Sequence, residues 1–296
     1  MKLNEIHIRD PFVIKHNGKY YMYGSRGDNL WIEGGGFDVY ISSDLENWSD
    51  PIEIFAPPAG FWGDRQLWAP EVHEYNGEFY LFATFNSVIV KRGTAILKAK
   101  TPEGPFVPHS DGAITPSDWG CLDGTLHQEN GKNYMVFCNE WTQVFDGTMC
   151  AVELSSDLKS PIGEPKLLFK ASDASWAKPI TVPPDIMAIH PPGMDCYVTD
   201  GPCFYRAKNG DLLMLWSSFT EGDNYVQAIS RSSDGTLFGN WTHESSLLYD
   251  NDGGHGMVFS TFDGKLMLTL HTPNTVGKER PAFFEIEEVN NTLVWR

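Results

Sequence analysis

Short apolar runs, interrupted every few residues by glycine or proline, characterise the whole chain. With 28 Gly and 19 Pro among 296 residues, few stretches are long enough for a helix of several turns. The runs between these positions are rich in Tyr, Phe, Val, Leu and Ile, which favour strands. They lack the 3.6-residue period of an amphipathic helix. The pattern therefore predicts an all-β chain.

A hairpin signal recurs five times along the chain. An Asn-Gly or Asp-Gly pair between two apolar runs is typical of a type I′ turn. The pairs are Asn17-Gly18, Asn76-Gly77, Asn130-Gly131, Asn209-Gly210 and Asp263-Gly264. A compact polar motif opens the strand before each pair: Arg9-Asp10-Pro11, Trp68-Ala69-Pro70-Glu71, Leu122-Asp123-Gly124, Thr199-Asp200-Gly201-Pro202 and Gly254-His255-Gly256. A third apolar run follows each pair, and the spacing leaves room for a fourth strand.

Five similar units of four strands predict a five-bladed β-propeller, because blades that cannot bury both faces alone close into a ring. We expect one domain over residues 1–296. The long excursion from Ser155 to Asp195 is interpreted as a decorated loop and not as a linker.

The net charge of the chain limits the kinds of molecule that it can bind. The chain has 22 Lys plus Arg against 39 Asp plus Glu, a net charge of −17. Such a surface repels phosphate backbones and anionic lipids, so we expect a small neutral ligand as partner and neither nucleic acid nor membrane. The segment from Met1 to Asp10 is charged and resembles no secretory signal, which predicts a cytoplasmic location unless a leader was removed. Five Cys without a CxxC pair predict reduced thiols.

Propeller geometry predicts which side chains meet. The first strand of a blade starts beside the axis and the second strand returns to the same face, so these two ends surround one pocket. The predicted pocket residues are Asp10, Glu71, Asp123, Asp200 and His255 from first strands, and Ser25, Arg26, Asn86, Glu140, Trp141, Ser218 and His271 from second strands. Carboxylates gathered on one axis destabilise each other, an arrangement that favours chemistry over stability.

At the five opening motifs the chain resembles glycoside hydrolase family 43, whose five-bladed propellers remove arabinofuranosyl or xylosyl units from plant polysaccharides. The resemblance covers essentially the whole length and implies a small neutral saccharide as the substrate. It implies an inverting enzyme with Asp10 as the general base, and with Asp123 as the residue that orients the acid and raises its pKa. The family's acid is a Glu in Glu-Gly-Pro, where this chain has Asp200-Gly201-Pro202. Because Asp is one methylene shorter, Glu140 is the alternative acid and otherwise a sugar-binding residue.

Five further residues are predicted to bind substrate or metal. Trp68 and Trp141 offer aromatic faces to a sugar ring, and Arg26 and His271 surround the same pocket. Family relatives often place a His near an axial calcium ion or water. The resemblance therefore implies His255 as a metal-associated residue and a structural Ca²⁺ on the axis, with no cofactor required for hydrolysis.

The leading hypothesis is an inverting, exo-acting glycosidase for a pentose, although the sequence alone does not decide between exo and endo action. Inverting enzymes hold their two carboxyl groups roughly 6.5–9.5 Å apart, and we expect that separation between Asp10 and Asp200. Two alternatives stay open: a carbohydrate-binding propeller without activity, and a glycoside phosphorylase. The phosphorylase would need cations near the acid, and Arg26 and Arg65 are the evident ones.

Overall fold

The computed structural model describes residues 1–31, 35–187, 191 and 193–296, and its strands form five antiparallel sheets of four. Blade 1 comprises β1 (Ile8–His16), β2 (Lys19–Arg26), β3 (Phe37–Ser42) and β4 (Ile52–Phe55). Blade 2 comprises β5 (Arg65–Tyr75), β6 (Glu78–Asn86), β7 (Gly93–Ala99) and β8 (Val107–Pro108). Blade 3 comprises β9 (Cys121–Glu129), β10 (Lys132–Asn139), β11 (Thr148–Leu154) and β12 (Pro161–Lys170).

The two remaining blades repeat the pattern. Blade 4 comprises β13 (Asp200–Arg206), β14 (Leu212–Thr220), β15 (Asn224–Ser232) and β16 (Trp241–Tyr249). Blade 5 comprises β17 (Gly254–Ser260), β18 (Leu266–Thr272), β19 (Arg280–Val289) and β20 (Thr292–Trp295). Two short α-helices, α1 (Trp141–Val144) and α2 (Pro184–Met187), and 3₁₀ turns at Leu3–Glu5, Gly27–Asn29 and Ala171–Asp173 complete the described elements.

Within every sheet the strands pair in chain order, and β1 packs against β17, β18 and β19, which closes the ring between blade 5 and blade 1. The five-bladed β-propeller predicted from the sequence is thus confirmed. The excursion after Ser155 contains β12 of blade 3 and, further along the chain, the short helix α2.

The hairpin turns follow the prediction in three blades and depart from it in two. A type I′ turn needs positive φ at both central residues. Asn17, Asn76 and Asn130 have φ of 47°, 51° and 51°, and each is followed by a glycine with positive φ. In blades 4 and 5 only Gly210 and Gly264 have positive φ, so the predicted I′ turns at Asn209 and Asp263 are wrong. There the amides of Gly210 and Gly264 donate to the carbonyls of Ala207 and Thr261, three residues earlier.

The core lies between neighbouring blades rather than within them. Four clusters of buried apolar side chains fill the spaces between blades, and the largest joins blades 5, 1 and 2. The second strand of blade 1 is buried over six consecutive residues, from Tyr20 to Ser25. Such continuous burial is the pattern of a strand covered on both faces. Packing on both sides fixes the inner ends of the blades and hence the site.

The cysteine side chains agree with the expectation from the sequence. All five cysteines are free, and four of them are buried, as the prediction of reduced thiols requires. Among the residues that the structure describes, no helix is long and apolar enough to cross a membrane.

Candidate active site

The innermost strand of every blade bends at the same place. Its pairing with the second strand is interrupted near its start, and the residue in the interruption has a left-handed backbone. We call these the bulge residues: Asp10, Ala69, Asp123, Gly201 and His255, with φ of 53°, 47°, 56°, 51° and 50°. Because bulges re-aim side chains, the repeated bend brings one residue of each blade to the axis.

The bulge in blade 2 lies two residues before Glu71. Ala69, and not Glu71, occupies the position equivalent to Asp10. The buried Glu71 carboxylate lies 3.1 Å from His73 Nε2 instead. The prediction of Glu71 as a pocket residue is therefore wrong, and blade 2 contributes no carboxylate at its bulge.

In blade 4 the carboxylate that faces the cavity belongs to Asp200, the residue before the bulge residue Gly201. A Cβ on Gly201 would lie 2.6 Å from His255 Cδ2, closer than real Cβ contacts, and the positive φ further favours glycine. Only a residue without a side chain fits between the two blades. Asp200 is thereby placed one position ahead, and its side chain, about 20% exposed, faces the cavity.

His255 lies at the centre of the acidic residues. Its Nδ1 is 3.3 Å from Asp10 Oδ1, 3.3 Å from Asp200 Oδ1 and 3.9 Å from Asp123 Oδ2. Burial alone would lower the pKa of His255, but the carboxylates of Asp10, Asp123 and Asp200 raise it to about 10. An imidazolium at neutral pH therefore holds the three carboxyl groups together.

The contacts of His255 also limit the distance between the two carboxylates of interest. Asp10 Oδ1 and Asp200 Oδ1 are at most twice 3.3 Å, or 6.6 Å, apart, because both lie 3.3 Å from one nitrogen. Inverting glycosidases hold their carboxyl groups roughly 6.5–9.5 Å apart, and retaining ones about 5–5.5 Å. The substrate-free site is thus at or below the lower end of the separation predicted from the sequence.

Asp123 and Asp200 share a hydrogen bond between their carboxyl groups. Burial, with the charge of Asp200 beside it, raises the pKa of Asp123 well above its usual value. Burial would also raise the pKa of Asp200, but hydrogen bonds from Asp123, His255 and Tyr225 lower it. Tyr225 donates its hydroxyl to Asp200 Oδ2 at 2.5 Å. Burial therefore favours the protonated form of Asp123, whereas the hydrogen bonds favour the ionised form of Asp200.

This distribution differs from the sequence-based expectation, in which Asp123 keeps Asp200 protonated. The difference arises because Asp123 is the more deeply buried member, only about 3% exposed, and the proton goes to the carboxyl with the higher desolvation penalty. The pair titrates as a unit, so its two protonation steps belong to both residues.

Asp10 is held as a carboxylate by its neighbours. Burial would raise its pKa, but the charges of His255 and Arg9 outweigh that effect and lower it. Ser25 Oγ donates to Asp10 Oδ2 at 2.5 Å, and the Asp10 amide donates to His271 Nδ1 at 3.3 Å. The low pKa fits an ionised base facing the cavity.

His271 was predicted to bind substrate, but its side chain is completely buried. Burial, together with Arg9, lowers its pKa to about 3, so the ring is neutral. Its Nδ1 accepts the Asp10 amide, while Nε2 lies 3.2 Å from Asn274 Oδ1. The sequence-based role is therefore corrected: His271 supports the Asp10 backbone and cannot touch a ligand.

The donors around His255 fit a calcium ion poorly. One ligand atom each from Asp123, Asp200 and His255 lies within 4.8 Å of the others. Calcium takes six to eight oxygen ligands, whereas this group offers two oxygens and one nitrogen. The contacts of His255 with Asp10, Asp123 and Asp200 are explained by an internal ion pair.

A cavity of about 940 Å³ opens above these residues, and it is lined by Asp10, Asp123, Asp200 and His255 at its floor. Trp68, Glu140 and Trp141, three predicted substrate-binding residues, also line it. The volume is near the upper end of the roughly 300–1,000 Å³ typical of ligand sites, so more than one sugar ring fits.

One wall of the cavity is a rigid polar group that the sequence analysis missed. The Arg92 guanidinium lies 4.1 Å above the Trp68 ring and 2.5 Å from Glu140 Oε1. Arg92 also donates to Gln66 Oε1 at 2.7 Å. This pairing holds Glu140 as a hydrogen-bond acceptor. The sequence does not identify Arg92 as a site residue, because it follows an apolar loop and its partner Glu140 is 48 residues further along the chain. Tyr225 was missed for a similar reason, since it opens an ordinary third strand.

Arg26, predicted to bind substrate, does not line the cavity. Its guanidinium makes two hydrogen bonds to Asp38, at 2.7 and 2.6 Å, and a third to Glu53 at 3.0 Å. The prediction is corrected: β2 ends with Arg26 turned toward the neighbouring strands of its own blade.

Comparison with known proteins agrees with this geometry. The model of the family described as "Glycosyl hydrolases family 43" matches residues 4–287. A solved structure named endo-arabinase, from Bacteroides thetaiotaomicron, is 39% identical and has a TM-score of 0.89, with 99% of this chain and 98% of that chain covered.

Two curated proteins are similar over shorter or more divergent stretches. A probable arabinan endo-1,5-alpha-L-arabinosidase C from Aspergillus fumigatus is 24% identical over 261 residues, which is 84% of this chain and 72% of that protein. An extracellular endo-alpha-(1->5)-L-arabinanase from Bacillus subtilis is 31% identical over 152 residues, which is 48% of this chain and 46% of its own. With the family model matched over nearly the whole chain and the acidic cluster at the propeller axis, the protein belongs to glycosyl hydrolase family 43 and is a glycoside hydrolase.

Proposed function

We propose that the protein is an inverting hydrolase that cleaves arabinan-type chains internally, with Asp10 as general base and the Asp123–Asp200 pair as proton donor. The observation that carries the proposal is the convergence of one ionised carboxylate and one proton-sharing carboxyl pair at the floor of a single cavity. Glycoside hydrolysis requires these two protonation states side by side.

The reaction follows from these protonation states. The Asp10 carboxylate removes a proton from water, and the water oxygen bonds to the anomeric carbon. The bond between that carbon and the leaving oxygen breaks, and the leaving oxygen takes the proton of the pair. Asp200 is the member that faces the cavity, so we assign the final transfer to it. Solvent then removes the proton from Asp10 and restores that of the pair.

The substrate class rests on the named relatives and on cavity size. The similar structure and the two curated proteins are named for endo-acting arabinan cleavage. A cavity with room for more than one ring supports binding along a chain. Time-course analysis of linear arabinan digests tests this: oligosaccharides of mixed length support endo action, and arabinose alone from the start contradicts it. Faster hydrolysis of a xylan-type substrate than of arabinan would reassign the sugar.

The stereochemistry needs its own test, because the substrate-free separation of Asp10 and Asp200 is at most 6.6 Å. Proton NMR of the first-formed sugar should contain the inverted anomer. A retained anomer would require a carboxylate nucleophile and would overturn the base role of Asp10.

The proton donor is tested by comparing leaving groups. A sugar alkoxide needs a proton to depart, whereas nitrophenolate does not. Asp200→Ala should therefore slow arabino-oligosaccharide cleavage far more than nitrophenyl arabinofuranoside cleavage. Glu140→Ala should slow both equally, since Glu140 binds Arg92 and lines the wall. Asp50→Ala, an exposed carboxylate of blade 1, is the matched control. Selectivity in Glu140→Ala and not in Asp200→Ala would move the acid to blade 3.

A metal-free reaction is part of the proposal. Calcium fits the donor set around His255 poorly, so treatment with a chelator should leave both hydrolysis and thermal stability unchanged. Loss of either on chelation, with recovery on adding Ca²⁺, would restore the axial calcium that the family resemblance implies.

Phosphorolysis is less well supported. Arg9, Lys91 and Arg92 line the cavity, but each already has a protein acceptor: Glu279, the Asp118 carbonyl and Glu140, respectively. Phosphate would have to displace these partners. Equal turnover in phosphate and in phosphate-free buffer is the expected result.

A further inference from the structure

One hydrogen bond recurs between neighbouring blades. On the second strand of each blade, one residue pairs with the position just before the bulge residue; we call it the seam residue. In four of the five seams its side chain accepts the amide of the next blade's bulge residue. These bonds run from Ala69 N to Ser25 Oγ at 2.7 Å, Asp123 N to Thr84 Oγ1 at 2.8 Å, His255 N to Ser217 Oγ at 2.8 Å and Asp10 N to His271 Nδ1 at 3.3 Å.

The seam between blades 3 and 4 is the exception. Its seam residue is Cys138, paired in register with Leu122, and a thiol is a weak acceptor. The Gly201 amide, which should reach the seam residue, donates to Asp123 Oδ2 at 3.3 Å instead. The completely buried Cys138 thiol interacts with Thr199.

Blades 1 and 3 provide an internal comparison, because both carry an aspartate at the bulge. In blade 1 the seam residue Ser25 accepts the Ala69 amide and donates its own hydroxyl to Asp10 at 2.5 Å. In blade 3 the equivalent residue, Cys138, carries sulfur in place of oxygen. Asp123 therefore receives a long bond from a backbone amide where Asp10 receives a short bond from a hydroxyl.

We propose that Cys138 is a positioning residue for hydrolysis: by withholding a hydroxyl from Asp123 it keeps the proton on the Asp123–Asp200 pair, whereas Ser25 keeps Asp10 ionised. This inference rests on the proposed roles of Asp10 and the pair. A short O–H bond to a carboxylate stabilises the charged form more than a long N–H bond does. Oxygen at one seam and sulfur at the other thus add to the effect of the neighbouring charges, which are His255 and Arg9 beside Asp10 and Asp200 beside Asp123.

Other groups that act on Asp123 come from several strands, and a change at Cys138 leaves them in place. Asp200 of β13 and Asp10 of β1 disfavour its charge, while His255 of β17 favours it. A substitution at Cys138 therefore changes one hydrogen-bond donor to Asp123, while the charges of Asp10, Asp200 and His255 stay the same.

The test is Cys138→Ser, followed by 13C NMR titration of side-chain-labelled aspartate, with Asp123→Asn to assign the signal. By the precedent of Ser25, the new hydroxyl takes the Gly201 amide and donates to Asp123. A hydrogen bond to a charged group is worth about one to two pKa units, so the pair should lose its proton at least about one unit lower. The alkaline limb of the pH profile of kcat/KM should move by the same amount.

Controls separate this effect from packing. Cys138→Ala offers no hydroxyl and should titrate like the wild type. Cys150→Ser makes the same atomic change at a buried thiol that contacts Thr148, away from the carboxyl groups, and should also leave the titration in place. If Cys138→Ser fails to fold, Ser25→Cys gives the reciprocal result, an Asp10 signal that titrates at higher pH.

Two outcomes would overturn the inference: a wild-type titration in Cys138→Ser, or an equal shift in Cys138→Ala. Because the NMR titration needs no substrate, it reports on Asp123 even if the protein proves inactive on arabinan. Failure of the proposed hydrolysis is thus distinguished from failure of the role of Cys138.

Discussion

Replacing His255 by asparagine tests whether its charge organises the site. Asparagine tolerates the positive φ of 50° at this position better than most uncharged residues other than glycine, and it cannot be protonated. The substitution therefore removes the cation between Asp10, Asp123 and Asp200 while keeping the bulge. We expect the fold to persist with lower stability.

The size of the loss follows from proton linkage. Contacts with the three carboxylates raise the pKa of His255 to about 10, from about 6.5 for a free histidine. A raised pKa stabilises the folded state fully below the unfolded pKa, and the stabilisation disappears as the pH rises through the folded pKa. At about 1.4 kcal/mol per unit, the charge contributes about 4 kcal/mol at pH 6.5 and about 1 kcal/mol at pH 9.5.

Urea unfolding followed by tryptophan fluorescence, at several pH values between 6.5 and 9.5, measures this difference. The gap in unfolding free energy between wild type and His255→Asn should shrink by roughly 3 kcal/mol over that range. His109→Asn, whose ring bonds to the Asp157 carbonyl far from the cluster, is the matched control. A gap that stays constant with pH would refute the reasoning, since it would mean that His255 contributes by packing alone.

Three further predictions address single residues. Asp10→Asn should fold normally but lose at least about a hundredfold in kcat, because water activation is lost; activity above about a tenth of wild type would contradict the base assignment. Gly201→Ala should lower both activity and stability, the latter by about 1–3 kcal/mol, because its Cβ would meet the His255 ring at 2.6 Å; an unchanged melting temperature would exclude that contact. Arg26→Ala should lower the melting temperature while KM stays within about twofold, since its guanidinium binds Asp38 and Glu53; a large rise in KM would restore it to the binding site.

The sequence determined the architecture, because its information is local and repeated. Each blade can be recognised by its opening motif and by its Asn-Gly or Asp-Gly pair. The alternation of apolar runs with glycine recurs five times. Asp10, Asp123, Asp200 and His255 could be placed together from this repeat alone, since equivalent positions in a ring of blades face the same axis.

Register and side-chain direction lay beyond the sequence. A β-bulge shifts which residue faces the axis, so Ala69 replaced Glu71, and no local pattern specifies where the bulge falls. Arg26 and His271 end the correct strands, yet one turns to Asp38 and the other is completely buried. Their orientation depends on the residues that they bind, Asp38 and Glu53 for Arg26 and Asn274 for His271, and the local sequence does not indicate these contacts.

Protonation was decided only in the folded chain. Asp10 and Asp123 stand at equivalent positions in similar motifs, and nothing in those motifs tells one charge state from the other. Their difference comes from the charges beside them, Arg9 for Asp10 and Asp200 for Asp123, and from the residues opposite them on the second strand, Ser25 and Cys138. These groups meet only when the ring closes, because charges and hydrogen-bond donors act over a few ångströms of space and not along the chain.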